Sequence, residues 1–408
     1  MQSDPIIDVL PPPSVPTAET RLRQDMSADG TTSLTGRKPS HFSLRSIFKA
    51  IDSAIDWVFG ALTLIVGIAL LSVIPVLNFL SLGYLLEASG RVGRSGKLRS
   101  AFVGVRKAGV LGRMVLGSWL LLWPVRVVSG LWHDAEIIAP GSANAGGWRL
   151  ALIVLTLMTV AQIVWACLRG GRLRHFLWPA PLKLKAWLKR PDSLSSVQDN
   201  VLDYLASLRL INFFRLGALG FVGAGIWLFV PVCILIGGSF LPPGGGALLG
   251  LLGGGLLLIV TLYLPFLQAH FATEGRFSAM FEVRHVRQMF NRAPLAFWLA
   301  FLITLLFALP LYLLKIEYLP KQIGWLPSLL FVAFIFPARM LTGWAISRAR
   351  KRETPRHGFW RWTARLGALP LAFAYVVIVY VAQYLSWHGA LSLMEQHAFL
   401  VPAPMMSL

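Results

Sequence analysis

Eight long apolar stretches dominate the chain: Trp57–Leu86, Met114–Trp132, Leu150–Leu168, Leu216–Leu241, Ala247–His270, Leu295–Leu314, Trp325–Ile346 and Leu366–Trp387. Six contain no Lys, Arg, Asp or Glu, and the other two hold one Arg each. About 20 mostly apolar residues cross the hydrocarbon core as a helix, and soluble helices of that length carry a polar stripe that these lack. An outer-membrane barrel would show alternating segments of about 10 residues instead. The pattern predicts an all-α polytopic transmembrane helix bundle of seven or eight spans.

Charge sharpens this. Only 14% of the 408 residues are charged, against about 25% in a soluble domain. The net charge of +20 would suggest nucleic acid if it lay on one soluble face, but its position says otherwise. The loops Glu87–Arg113, Arg169–Arg215, Phe271–Pro294 and Ser347–Arg365 hold 27 Lys and Arg, whereas His133–Arg149, Pro242–Gly246, Lys315–Gly324 and His388–Leu408 hold three. Lys and Arg in short loops set orientation, so the four basic loops are expected in the cytoplasm and the C-terminus outside. Membrane lipids with anionic headgroups are the expected partners, each juxtamembrane cation gaining about 1 kcal/mol from them. Nucleic acid is not expected, and a protein partner stays open. The densest cationic surfaces are Lys183, Lys185 and Lys189 around Trp187, and Arg350, Lys351 and Arg352 after Arg348.

The first apolar stretch is anomalous. Thirty residues without a charge make about 45 Å of helix at 1.5 Å per residue, too long for one crossing and short for two. Pro75 removes a backbone donor inside it, so the segment is Pro-broken. Either it is one span with an interfacial extension and the tail outside, or it is a re-entrant hairpin with the tail inside. Upstream, Leu44, Ile47, Phe48, Ile51 and Ile55 recur at helical spacing with Arg45 and Lys49 between them, as in an interfacial amphipathic helix. Met1–Gly36 lacks the apolar region of an export signal, which favours the tail inside. The expected organisation is a disordered tail over 1–40, membrane unit 1 with its interfacial helix over 41–168, a basic cytoplasmic linker with amphipathic helices over 169–215, membrane unit 2 over 216–387 and a short tail over 388–408.

A weak internal duplication is visible. Ser100-Ala101-Phe102-Val103-Gly104-Val105-Arg106-Lys107 aligns without a gap with Ser278-Ala279-Met280-Phe281-Glu282-Val283-Arg284-His285, each before an apolar span. Upstream, Ile74-Pro75-Val76-Leu77-Asn78 parallels Leu264-Pro265-Phe266-Leu267-Gln268, and Glu87 with Gly90-Arg91 parallels Glu274-Gly275-Arg276. Chance matches among Ser, Ala, Val and Arg are the alternative. The run Ile74-Pro75-Val76-Leu77, then Gly83-Tyr84, a Gly-Arg turn and a basic amphipathic stretch resembles a bacterial multi-pass membrane protein family of the domain-of-unknown-function class. The resemblance covers Trp57–Leu122 and, through the repeat, Tyr263–Leu314. It implies a bacterial cytoplasmic-membrane setting and transfers no catalytic residue.

Few residues invite a chemical role. Arg126 and Arg339 are the intramembrane charges, each two residues after a Pro. They mark either an anion or lipid-headgroup site or two snorkelling side chains in opposite leaflets, the second reading being favoured. Gly246, Gly250 and Gly254 recur at four-residue spacing, a helix-packing face expected to close a hairpin with the preceding span through Pro242-Pro243. His270 and Glu274 suit a local polar pair, since no third metal ligand stands near. Cys167 and Cys233 read as packing residues. Gly90–Lys97 departs from a phosphate-binding loop at Arg91 and Leu98. No nucleophile, metal or cofactor constellation emerges. The expectation is a non-enzymatic, membrane-organising or partner-binding protein with a basic, lipid-facing cytoplasmic side. The alternative is a transporter or permease-like protein for an anionic or amphiphilic solute.

Overall fold

The structure, a computed structural model, describes residues 44–188, 193–314 and 325–385, with 389 and 393. The tails expected over 1–40 and 388–408 and the loop Lys315–Gly324 lie almost wholly outside the described residues, as does Lys189. The chain divides into Met1–Asp52, whose described residues are helical, and Ser53–Leu408. The second unit holds the bundle and has no boundary at 168 or 216.

Thirteen α-helices occur among the described residues. They are α1 (Leu44–Val73), α2 (Asn78–Ser95), α3 (Val105–Ile138), α4 (Ala143–Leu168), α5 (Leu173–Leu177), α6 (Pro181–Leu188), α7 (Ser193–Ser207), α8 (Leu210–Ser239), α9 (Pro243–Glu274), α10 (Val283–Arg292), α11 (Pro294–Leu314), α12 (Trp325–Arg350) and α13 (Gly358–Ala382). No strand is present among them. Seven helices are long and apolar enough to cross a membrane, and α10 with α11, bent by 111°, makes an eighth candidate.

The Pro-broken segment folds back on itself. The chain turns at residues 74–77, and the Ser81 hydroxyl donates to the Ile68 carbonyl at 2.8 Å. In one straight helix those residues would stand about 19 Å apart. The upstream amphipathic stretch is continuous with the first span, since α1 runs unbroken from Leu44 to Val73.

The returning helix α2 is the centre of the bundle. Its Leu82, Leu85, Leu86, Ala88 and Val92 are buried, and so are the polar Asn78, Ser81 and Ser89. Small residues let three neighbours approach its backbone. A Cβ on Gly83 would strike the Phe213 carbonyl of α8, one on Gly90 the Ala272 carbonyl of α9, and one on Gly343 of α12 the Ser89 carbonyl. Hydrogen-bonded backbones of this kind need no apolar side chains between them, which is how so polar a helix holds the middle of the bundle.

The contacts also give directions. Gly217 and Phe221 of α8 meet Phe79 of α2, and Gly217 also meets Gly83, so α2 and α8 are antiparallel. Ser89 and Gly96 meet Gly343 and Ser347 in turn, so α2 and α12 are parallel. Gly60 and Thr63 of α1 meet Gly109 and Gly112 of α3, so these two advance together. The N-terminal end of α3, the C-terminal end of α2 and the C-terminal end of α12 therefore share one end of the bundle.

Glycine on α8 and α9 is used differently from the sequence expectation. Gly217, Gly220 and Gly223 face chiefly α2 and Met280, with Phe271 of α9 only in ordinary contact with Gly220. Of the predicted face, Gly246 meets the Gly238 carbonyl of α8, at 2.8 Å from a built Cβ, whereas Gly250 and Gly254 have ordinary room beside Tyr380 and Val376 of α13. A period of four on a helix with 3.6 residues per turn drifts around the axis, which carries Gly254 off the α8 seam; Gly253 occupies it, against Leu235.

Half of the internal repeat is structural. Both copies end a helix on a left-handed glycine (Gly96, φ 72°; Gly275, φ 74°), pass through a short 3-10 turn and restart at the aligned residues Val105 and Val283. Ala101 and Ala279 are fully buried in the two turns. The upstream half fails. Pro75 precedes α2 while Pro265 lies inside α9, and Gly90 is mid-helix where Gly275 is a cap. The copies also diverge afterwards, since α3 continues as one helix where α10 and α11 bend by 111°.

Candidate functional site

The four basic loops are joined to one another at one end of the bundle. Lys107 Nζ donates to the Ser207 carbonyl at 3.0 Å, and the Tyr204 hydroxyl donates to the Lys107 carbonyl at 3.2 Å. Arg94 Nη1 donates to the Ala272 and Thr273 carbonyls at 2.9 and 3.2 Å, stopping the C-terminal end of α9 with a cation where its dipole is negative. Arg350 pairs with Glu274. The Arg356 backbone N–H reaches the Asn291 carbonyl at 2.9 Å. The stretch that links α4 to α8 is tied in from the other side. The glycine-lined contacts of Phe176 with Gly117 and of Gly171 with Met114 hold α5 and the turn before it against α3, and Gln162 of α4 donates to the His175 and Phe176 carbonyls.

Within this end, a cleft of about 180 Å³ opens between the first turn of α11 and the C-terminal end of α12. Arg348, Arg352 and Arg356 line it with Trp344. Arg348 stands over the Trp344 ring at 5.2 Å, and Arg356 over the Trp360 ring at 5.9 Å. None of the three has a carboxylate partner among the described residues. Ala293, Pro294, Leu295 and Ala296 form the opposite wall, which presents the positive end of the α11 dipole. Three guanidiniums without a carboxylate partner, beside an indole and a helix start, make an anion-accepting surface.

The predicted surface cations among the described residues fall into two groups. Lys183 and Lys185 are exposed on α6, and Lys351 and Arg352 are exposed at the end of α12, free to meet a surface. Arg350 is committed to Glu274. Arg348 and Arg356 join Arg352 in the cleft, and the sequence carries a signal for part of this: Trp344, Arg348 and Arg352 recur every four residues and so share one helix face.

The two intramembrane arginines are not brought together. Arg126 is exposed on α3. Arg339 is buried at 3% exposure, and its Nη1 donates to Gln268 Oε1 at 2.5 Å. It does not snorkel. Its head is held among α2, α9 and α12 beside Thr342, which donates to the Arg339 carbonyl and meets the Ser89 hydroxyl at 3.3 Å.

His270 and Glu274 do not form the expected local pair. His270 Nε2 meets Glu282 Oε2 at 2.8 Å and its ring stacks on His285 at 4.8 Å, while Glu274 turns to Arg350. The His270 hydrogen bond, with Arg276 and His285 nearby, holds the Glu282 carboxyl below the usual carboxylate range. Burial first, then His270, lowers His285 below an ordinary histidine. No group of three or more His, Cys, Asp or Glu gathers as a metal site among the described residues. Cys167 and Cys233 are free and half-buried.

The second copy of the repeat, with the hairpin before it, has a counterpart elsewhere. Residues 206–316 match the family model DUF4013, described as a protein of unknown function. No curated protein and no solved structure matches the chain. The DUF4013 segment takes in α8, α9, α10 and α11 and stops before α12. It supplies Gln268, the His270–Glu282–His285 cluster and the α11 wall of the cleft, whereas Arg339 and the cleft arginines come from outside it. The first copy, Trp57–Leu122, lies outside the matched residues.

Proposed function

We propose that this multi-pass membrane protein sits in a bacterial cytoplasmic membrane with its basic end inside. There it acts without enzymatic activity of its own, gathering anionic lipid and serving as a membrane-organising or partner-binding component. One observation carries the reading: the four loops that hold most of the cations are bonded to each other at a single end of the bundle. Those loops hold 27 Lys and Arg in the sequence, which supports a large positive surface at that end. Each cation near an anionic leaflet gains about 1 kcal/mol.

Orientation follows from the same surface. With the basic end inside, α1 runs outward beside α3, α2 returns inward, and the N-terminal tail is cytoplasmic.

Thermal unfolding of the purified chain in neutral detergent tests the lipid part. Added phosphatidylglycerol should raise Tm more than phosphatidylcholine at equal mole fraction, and the difference should shrink as salt rises, because exposed charges are screened over about 10 Å at 0.1 M. Equal shifts with the two lipids at low salt would remove the reading.

A further inference from the structure

A second cavity, of about 360 Å³, lies between α9, α10, α11 and α13. Its floor is aromatic and deep: Phe266, Phe297 and Phe301 are buried at 4%, 1% and 2% exposure. Its rim carries the guanidiniums of Arg287 on α10 and Arg365 on α13. The 111° bend between α10 and α11 makes the cavity, since it lays α10 across the end of the bundle as a roof. Asn291 at that bend fixes one rim group, accepting from Arg365 Nη2 at 3.1 Å, and Arg365 also stands over the Phe290 and Trp362 rings at 5.7 and 5.8 Å. Neither arginine has a carboxylate partner among the described residues. The indole N–H of Trp298, in the wall, is buried with no acceptor.

We propose that this cavity holds one acyl chain of an anionic phospholipid, with the headgroup phosphate at Arg287 and Arg365. An apolar chamber of this size with two cations in its lining that lack a carboxylate partner matches an alkyl chain that ends in a negative charge. A bilayer lipid is the source, rather than a solute from water, because the cavity reaches the apolar outer face of the bundle. Leu369 lines it and is 44% exposed, next to the exposed Leu366 and Phe373, so a chain enters sideways from hydrocarbon. The site is distinct from the Arg348–Arg352–Arg356 cleft: the two lie against different residues of α11, Phe297, Trp298 and Phe301 here and Ala293 to Ala296 there.

This inference rests on the reading that the basic end meets anionic lipid, and the test separates the two. Native mass spectrometry of the purified full chain would measure retention of phosphatidylglycerol, phosphatidylcholine and glycerol phosphate. The wild type should retain one phosphatidylglycerol at energies that strip the others. Ala368→Phe, which fills the cavity, should abolish that single retained lipid. Arg287→Gln alters an exposed side chain with no ion pair among the described residues and so leaves folding intact; it should weaken retention about fivefold, the equivalent of about 1 kcal/mol for one headgroup cation. Arg149→Gln, exposed and outside the four basic loops, should leave the retained lipid in place. If Arg287→Gln and Ala368→Phe retain phosphatidylglycerol as the wild type does, the site is overturned. If they do so while phosphatidylglycerol still raises Tm selectively, the cavity assignment falls and the basic-surface reading stands. Retention of glycerol phosphate alone would also overturn it, by showing a phosphate site without a chain.

Discussion

Gly83 of α2 and Gly217 of α8 lie face to face. A Cβ built on Gly83 would sit 2.9 Å from the Gly217 nitrogen, and one on Gly217 would sit 2.8 Å from the Gly83 nitrogen. Each would also strike a carbonyl, that of Phe213 in the first case and that of Phe79 in the second. Backbone cannot swing aside as a side chain can. Gly217→Ala or Gly83→Ala should therefore cost about 3 kcal/mol or more, at or above the top of the range for ordinary overpacking. Gly225→Ala on the same helix α8, with open space around it, should be near neutral. Thermal unfolding in detergent of the three variants checks this, and equal Tm values would show that α2 does not hold the bundle centre.

Arg339 and Gln268 form a second dependence. Removing the partner of a buried charge costs about 3–5 kcal/mol, whereas replacing both groups by apolar ones is often neutral. Gln268→Leu should lower stability markedly, and Arg339→Met added to it should recover most of the loss. A double variant no better than Gln268→Leu alone would indicate that Arg339 is stabilised by its other surroundings.

The His270–Glu282–His285 cluster, with Glu274, Arg276 and Arg350 around it, makes stability fall on acidification. The Glu282 carboxyl is lowered in the fold, so its contribution is present above the ordinary carboxylate range of about 4.3 and is lost as pH falls through its lower folded value. His285 is lowered too. Its neutral form is favoured by the fold, so stability declines as pH drops below the ordinary histidine value of about 6.5. Tm should fall between pH 7.5 and pH 5.5, and His285→Gln should flatten that part of the curve. An unchanged slope in His285→Gln would assign the effect to other groups.

Helix count, apolar periodicity and the sorting of cations are legible in the sequence, because they depend on composition along one segment at a time. What stays hidden there depends on pairs far apart in the chain. Gln268 gives no sign in sequence that it will meet Arg339, 71 residues away. Nothing in the sequence marks α2 as the core, because it carries Asn78, Ser81, Glu87 and Ser89, and its burial comes from glycines that permit backbone contact instead of from hydrophobicity. The repeat is half legible: the turn from Ser100 and from Ser278 is built alike, while the proline upstream opens a helix in one copy and sits within a helix in the other. Arg350 resembles its neighbours in the cluster, and only the fold commits it to Glu274.

The central claim is that the joined basic loops form one cytoplasmic surface, and cysteine accessibility tests it most directly. In a background with Cys167 and Cys233 replaced by alanine, Thr354→Cys marks the basic end and Ser142→Cys, the cap of α4, marks the opposite end. A membrane-impermeant maleimide should label Ser142→Cys in intact cells and Thr354→Cys only in inverted membrane vesicles. The reverse pattern, with Thr354→Cys labelled from outside the cell, would contradict the account.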